Sequence, residues 1–242
     1  MSDVSPIYGP VTSRRLGRSL GISLVPRKAC PYDCIHCTLG PTTELTIDRK
    51  SHVTPNAVIE ALTGRLSELE ASNRKIDAVT IAGFGEATLN IHLGEIVTRI
   101  RRETGLPMAI LTSGGLLGDR SLRREILGFD VVMAYLHAGT PEVFHVIHRP
   151  HPGVSFEDVY AELVRLREEG GARLLLEVMM CSGVNDSDRE MDALIERIRF
   201  IDPDSVHIDT PTATRVRHLA VSRELMNKFA RRIGERAVII AS

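Results

Sequence analysis

The stretch Ala78-Val79-Thr80-Ile81 runs without an alternating polar residue and passes into Gly83-Phe84-Gly85-Glu86. A strand with one wet face alternates apolar and polar side chains, whereas one covered on both faces need not. Leu174-Leu175-Leu176 and Val238-Ile239-Ile240 have the same character. Working outward from these runs, strands are predicted at about 19–25, 77–82, 107–112, 130–136, 173–180, 204–209 and 236–241. Longer segments of helical period separate them, the pattern of parallel strands joined by crossover helices. The fold class is α/β, as a barrel or a doubly wound sheet.

The helices carry their own start signals. Thr54-Pro55 places a capping hydroxyl and an N1 proline ahead of Val58, Leu62, Leu66 and Leu69. Ser155 with Asp158, and Ser187 with Glu190, have the spacing of a capping box. Met191, Leu194, Ile195 and Ile198 make the inner face of the helix that follows, as Leu225, Phe229 and Ile233 do for the last one. No repeat, low-complexity tract or linker interrupts residues 1–242. A single domain of about six β/α units follows, short of the eight that close a full barrel.

The chain has 242 residues, 43% of them hydrophobic, enough for one large buried core. Its 30 Lys and Arg against 31 Asp and Glu leave a net charge of −1, which gives no field for holding a polyanion. Nucleic acid therefore stays open as a substrate without support from charge. No apolar run approaches the roughly 20 residues of a membrane span, and the first 25 residues lack the apolar block of a secretory signal. The reading is a cytoplasmic protein without a membrane partner.

Four cysteines are few, yet Cys30, Cys34 and Cys37 fall within eight positions, in Lys28-Ala29-Cys30-Pro31-Tyr32-Asp33-Cys34-Ile35-His36-Cys37. They follow the first predicted strand, at the C-terminal rim where α/β enzymes keep their sites. Three thiolates on a 4Fe-4S cube leave one iron open to a substrate or cofactor. The alternatives are a structural zinc site or an electron-transfer cluster completed by Cys181, although zinc sites usually pair two C-x2-4-C elements. Cys181, beside Met179 and Met180, otherwise reads as a small core hydrophobe.

The spacing C-x3-C-x2-C resembles the signature of the radical S-adenosylmethionine (radical SAM) enzymes. Gly83-Phe84-Gly85-Glu86 is similar to that superfamily's Gly-Glu motif, Ile110-Leu111-Thr112-Ser113-Gly114 to its Thr-Asn-Gly segment, and Gly183-Val184-Asn185-Asp186 to its turn after the fifth strand. Gly9 to Ile22, His148-Arg149-Pro150-His151-Pro152-Gly153 and His207-Ile208-Asp209-Thr210-Pro211-Thr212 resemble a wyosine-synthase-like subgroup of iron-sulfur oxidoreductases. The resemblance implies a partial (β/α)6, TIM-like barrel, in agreement with the strand count. It implies that Cys30, Cys34 and Cys37 hold a [4Fe-4S] cluster whose open iron binds S-adenosylmethionine. Reductive cleavage then gives a 5′-deoxyadenosyl radical that takes hydrogen from substrate, with an electron donor such as a flavodoxin or ferredoxin.

Carried across residue by residue, Gly85 receives the methionine end of the cofactor, Glu86 anchors the turn, and His36 packs on adenine. Ala87 stands where the superfamily usually has Pro, Ser113 where it often has Asn, and His137 where Asp commonly closes the fourth strand. The ribose contact is therefore open between Ser113, His137 and Asn185. The substrate, a small molecule or a tRNA base, is not named by the residues. Two other readings stand beside this one, a glycyl-radical activase and a non-catalytic zinc or electron-transfer protein.

His145, His148 and His151 recur every third residue, but Pro150 and Pro152 break any helix that would stack them. Arg149 has the chemistry to hold a carboxylate or phosphate. Arg14, Arg15, Arg18, Arg27 and Lys28 are the one basic concentration, beside the cysteine loop. With 4% aromatic residues and no Trp, the chain lacks the stacking partners of an RNA surface. No cysteine precedes Cys30 to hold the second cluster known from the tRNA-modifying enzymes.

Overall fold

A computed structural model describes residues 5–13 and 16–240 of the chain. Strands β1 (Ile7–Ser13) and β2 (Gly17–Ile22) open the fold as an antiparallel pair, with a register shift between Tyr8 and Val11. β3 (Ala29–Cys30) and β4 (Glu44–Leu45) form a short parallel ladder of their own. Helices and strands then alternate: α1 (Pro55–Ala71), β5 (Ala78–Ile81), α2 (Leu93–Thr104), β6 (Met108–Thr112), α3 (Arg120–Ile126) and β7 (Val131–Tyr135). After two helices in succession, α4 (Pro141–His148) and α5 (Phe156–Glu169), come β8 (Arg173–Met179), α6 (Asp188–Ile201), β9 (Ser205–Asp209), α7 (Arg223–Ile233) and β10 (Ala237–Ile239).

The main sheet runs β1-β2-β5-β6-β7-β8-β9-β10, and every pairing from β2 onward is parallel. The strand order never reverses, so the sheet is a partial barrel and not a doubly wound sheet with a switch point. β10 is the seventh parallel strand, at the place predicted for residues 236–241. β1 was not expected as a strand, because Gly9-Pro10 reads as a break. A proline costs little there, since an edge strand has no ladder partner on its outer side.

The uniform apolar strands have the predicted cause. Residues of one parity, among them Val79, Ile81, Ile110, Val132, Leu174, Leu176, Val206 and Ile208, join the helices in one large core. Burying each such side chain is worth roughly 1.5–3 kcal/mol, which holds the helices on the sheet. The other parity faces the barrel axis, where Ala109, Val131, Met133 and Leu175 plug the base. Two residues past Met133 and Leu175 the same parity turns polar, at Tyr135 and Glu177.

The helix starts follow the sequence. The Thr54 hydroxyl accepts from the Ala57 amide, Ser155 from Asp158, and Ser187 from Glu190. α6 buries Met191, Leu194, Ile195 and Ile198 as expected. In α7 the buried residues are Met226 and Phe229, while Leu225 and Ile233 are half-buried at the edge of that face. Among the described residues no helix is long and apolar enough to cross a membrane.

Candidate cofactor site

The cysteine loop leaves the rim of the barrel after β2 and is folded into a small lobe. The Lys28 carbonyl accepts from the amides of Thr43 and Glu44 at 3.1 and 3.2 Å, and the Cys30 carbonyl from Thr46 at 3.1 Å. The Thr42 amide donates to Asp33 Oδ1 at 2.6 Å and its hydroxyl to the Tyr32 carbonyl at 2.7 Å. Inside the lobe the buried Lys28 ammonium donates to the Gly40 carbonyl. Cys30, Cys34 and Cys37 come out half-buried as free thiols.

The Gly-Glu turn is pressed against this loop. The Glu86 amide donates to the Ala29 carbonyl at 2.9 Å. A Cβ on Gly85 would stand 2.2 Å from that same carbonyl oxygen, and Gly83 has φ +148, so both positions need glycine. The Glu86 side chain points inward: Oε1 accepts from the Thr88 amide and hydroxyl and from the Thr112 hydroxyl, and Oε2 accepts from the Ser113 amide at 2.7 Å. Cysteine loop, Gly-Glu turn and the end of β6 are thus tied together through one residue.

The thiols, Gly85, Glu86, His36, Ser113 and His137 all line one cavity of about 290 Å3 at the C-terminal rim. Its walls also include Lys28, Tyr32, Tyr135, Glu177 and Met179. Tyr135 and Glu177 were missed from the sequence; their signal is parity, each lying two residues before a rim position, His137 and Met179. Asn185 is not brought to the cavity. Its Oδ1 accepts from the Cys181 amide at 2.7 Å, and Nδ2 donates to the carbonyls of His137 and Met179 at 2.7 and 2.8 Å. Both amide protons are spent on joining β7 to the turn after β8.

The rings around the cavity stack. His137 lies over Tyr135 at 5.3 Å and over His148 at 5.1 Å, and meets His36 edge-on at 4.9 Å. Burial, with repulsion from Lys28, brings His36 down to about 4. Burial lowers His137 and His148 well below the ordinary 6.5, so all three imidazoles are neutral near pH 7. Burial also pushes the Cys30 thiol up to about 12, with the Glu86 carboxylate adding to it, and raises Cys34. Thiolates in this setting require a cation beside them.

The residues fit an iron-sulfur cluster with a cofactor next to it. Tyr32 Oη, His36 Nε2 and His137 Nε2 are buried without a hydrogen-bond partner, and all three residues line the same cavity. An orphaned buried polar atom costs about 1–3 kcal/mol, so three in one place call for a ligand. Among the described residues, one set of metal-donor atoms closes to within 4.8 Å, that of Cys34, His36 and His148. Cys30 and Cys37 stand outside it, whereas the sulfurs of one tetrahedral zinc lie only about 3.8 Å apart. Cys181 is core, packed with the large apolar cluster, and joins no such set.

The other polar groups are dispersed. His145 is exposed, His151 Nδ1 accepts from the Gly153 amide at 3.1 Å, and only His148 of that triplet reaches the site. Arg149 is exposed, 3.9 Å from Asp33. Arg18 pairs with Asp77, Lys28 is buried and Arg27 is exposed; Arg14 and Arg15 lie outside the described residues.

Three thiols opening on the C-terminal rim of a parallel partial barrel define an iron-sulfur α/β class. The chain belongs to the radical SAM superfamily, whose family model, described as Radical SAM superfamily, matches residues 24–195, and to the UPF0026 proteins. A UPF0026 protein of Helicobacter pylori is 30% identical over 88% of this chain and 70% of its own length. One from Methanocaldococcus jannaschii is 31% identical over 84% of this chain, which spans 63% of that relative. A protein named GTPase Obg from Brachyspira hyodysenteriae is 34% identical over 85% of the chain, but the chain spans only 30% of it.

Among solved structures, a radical SAM methyltransferase from Sphaerobacter thermophilus gives a TM-score of 0.70 at 22% identity, covering 93% of this chain and 66% of that one. TYW1 with a lysine-pyruvate adduct bound gives 0.68 at 17% identity, covering 92% and 76%. These likenesses show the fold. The superfamily uses a [4Fe-4S] cluster and S-adenosylmethionine.

Proposed function

We propose that residues 1–242 form one radical SAM core domain in which Cys30, Cys34 and Cys37 hold the [4Fe-4S] cluster. Bound there, the cluster would supply the electron that breaks the sulfur–C5′ bond of S-adenosylmethionine, releasing methionine and leaving a 5′-deoxyadenosyl radical to take hydrogen from a substrate. The observation that carries the reading is convergence: three thiols from one loop, the Gly-Glu turn and three orphaned polar atoms meet in one cavity.

Each residue has a definite task. The Gly83–Glu86 backbone offers the close approach that a methionine amino group needs, and Glu86 holds that backbone against Ser113 without being consumed. His36 and His137 present neutral ring nitrogens for the adenosine, with the Ser113 hydroxyl as a third polar contact. Asn185 acts by positioning His137. The apolar plug at the base closes the barrel to water from below, which protects a radical step.

A small molecule is favoured over a tRNA base. Lys28 is buried on the Gly40 carbonyl and Arg18 is paired with Asp77 at the surface, which leaves Arg27 as the exposed residue of that group without an ion pair among the described residues, short of a stripe. The electron comes from a separate donor such as a flavodoxin or ferredoxin. The activase and zinc readings are not favoured; the second has no single-ion set that includes all three cysteines.

Anaerobic reconstitution with iron and sulfide, then reduction with S-adenosylmethionine present, tests the assignment through 5′-deoxyadenosine. Wild type is expected to give product and Cys34→Ala at least tenfold less, a gap of about 1.4 kcal/mol or more. Equal product from both proteins refutes it, as does zinc without acid-labile sulfide.

A further inference from the structure

His148-Arg149-Pro150-His151-Pro152-Gly153 has no task in the reading above, yet it is the seat of the cysteine loop. α4 ends at His148, and the last carbonyls of a helix need partners from outside it. Here the cysteine loop supplies them: the Asp33 amide donates to the His148 carbonyl at 2.9 Å and the Ile35 amide to the Ile147 carbonyl at 3.0 Å. Arg149 turns the chain with φ 44. The Arg149 carbonyl also accepts from the Asp33 amide at 3.3 Å and the His151 amide donates to the Pro31 carbonyl at 2.7 Å, the two bonds that set Pro150 opposite Tyr32. Four backbone contacts therefore lock the end of α4 to Pro31–Ile35, the segment that carries Cys34.

That lock fixes the His148 side chain. The ring is 2% exposed and wedged among Tyr32 at 4.7 Å, Phe144 at 4.9 Å and His137 at 5.1 Å. Its Nδ1 stands 3.3 Å from Cys34 Sγ.

We propose that His148 donates a hydrogen bond from Nδ1 to the sulfur of Cys34 and so raises the reduction potential of the cluster. The proposal rests on Cys34 being a cluster ligand. A metal-bound thiolate carries no proton and only accepts, so the contact places a hydrogen on His148 Nδ1. One-electron reduction adds negative charge to the cluster, part of it on the ligand sulfurs. An N–H aimed at one of them stabilises the reduced form more than the oxidised form. His148 is a positioning and tuning residue; it touches neither substrate nor the cleaved bond.

The test is an EPR-monitored redox titration of reconstituted wild type, His148→Phe and His148→Asn. Phe keeps the ring stack and removes the donor; Asn restores an N–H near the place of Nδ1. At a fixed solution potential, the ratio of reduced to oxidised cluster in His148→Phe is expected to be about tenfold lower, equivalent to about 59 mV for one electron, with iron and sulfide content unchanged. His148→Asn is expected to recover most of that loss. A fully loaded His148→Phe that titrates at the wild-type potential overturns the proposal.

Should His148→Phe fail to load, the wild-type interaction is read directly in protein carrying 15N-histidine. Pulsed EPR of the reduced cluster is expected to show a nitrogen coupling that survives His36→Phe, and its absence there overturns the proposal. Cys34→Ala separates the two levels. A complete cluster in that variant removes the premise itself, whereas loss of the cluster there combined with an unshifted His148→Phe sinks only the hydrogen bond.

Discussion

The carboxylate of Glu86 is buried and given four donors, three on Oε1 from Thr88 and Thr112 and one on Oε2 from Ser113. Glu86→Gln keeps the volume but turns one acceptor atom into a donor, so at least one of those partners is stranded. An unsatisfied buried donor costs about 1–3 kcal/mol, and urea unfolding of the variant is expected to lose that much. S-adenosylmethionine binding, measured by calorimetry, is expected to weaken about tenfold as the spacing between Gly85 and Ser113 relaxes. A wild-type unfolding midpoint would show that the carboxylate is no clamp. At this scale the sequence reveals the residues whose chemistry is rare: three thiols on one loop, a Gly-Glu turn, polar groups at strand ends. Asn185 qualifies by type and position, yet only the fold shows its amide fully used on backbone. Tyr135 and Glu177 share the parity of His137 and Met179, but only the fold shows that this parity faces the barrel axis.

Among the elements, α6 departs from its own sequence signal in an informative way. Ser187 and Glu190 have capping-box spacing, and the Ser187 hydroxyl does accept from the Glu190 amide at 3.3 Å. The Glu190 carboxylate does not reach back to Ser187. It accepts instead from the Gly139 amide at 2.5 Å and the Thr140 hydroxyl at 2.8 Å, holding the start of α4. Local spacing cannot reveal this, because Gly139 is 51 residues away along the chain. Ser187→Ala is expected to cost about 1 kcal/mol, an ordinary cap loss. Glu190→Ala is expected to cost about 2–3 kcal/mol, since it strands buried donors at Gly139 and Thr140. Equal losses in guanidinium unfolding would return Glu190 to a simple capping role. The strands were legible for the opposite reason: both faces are covered, so their apolar runs do not depend on a distant partner. β1 was not, because Gly9-Pro10 ends a strand anywhere but at an edge.

For the whole molecule, the site is where three distant parts of the chain place neutral histidines together: His36 from the cysteine loop, His137 after β7 and His148 at the end of α4. Burial holds each below the ordinary value of 6.5, His36 at about 4 and the other two well below 6.5. Above pH 6.5 folded and unfolded chains bind the same protons at these rings, and stability does not change with pH on their account. Below it the unfolded chain takes up protons that the folded chain refuses, so stability falls as pH falls. For His36 the fall continues to about pH 4, where the folded ring also protonates. Each ring contributes up to about 1.4 kcal/mol per pH unit, hence about 4 kcal/mol per unit for three. The carboxylates act in a lower window. Asp119, whose carboxyl is held down chiefly by the Ser121 hydroxyl, and Asp188, held down by Lys228, lose their stabilising effect only below the ordinary 3.8. Between pH 6.5 and 5 the histidines therefore dominate. Urea unfolding of the metal-free protein at pH 7.5, 6.5, 5.5 and 5.0 is expected to show a flat region followed by a steep decline. Replacing His137 or His148 by Phe is expected to remove about one proton from the slope, whatever it does to the midpoint. A slope that stays unchanged in both variants would place the acid sensitivity outside this histidine cluster.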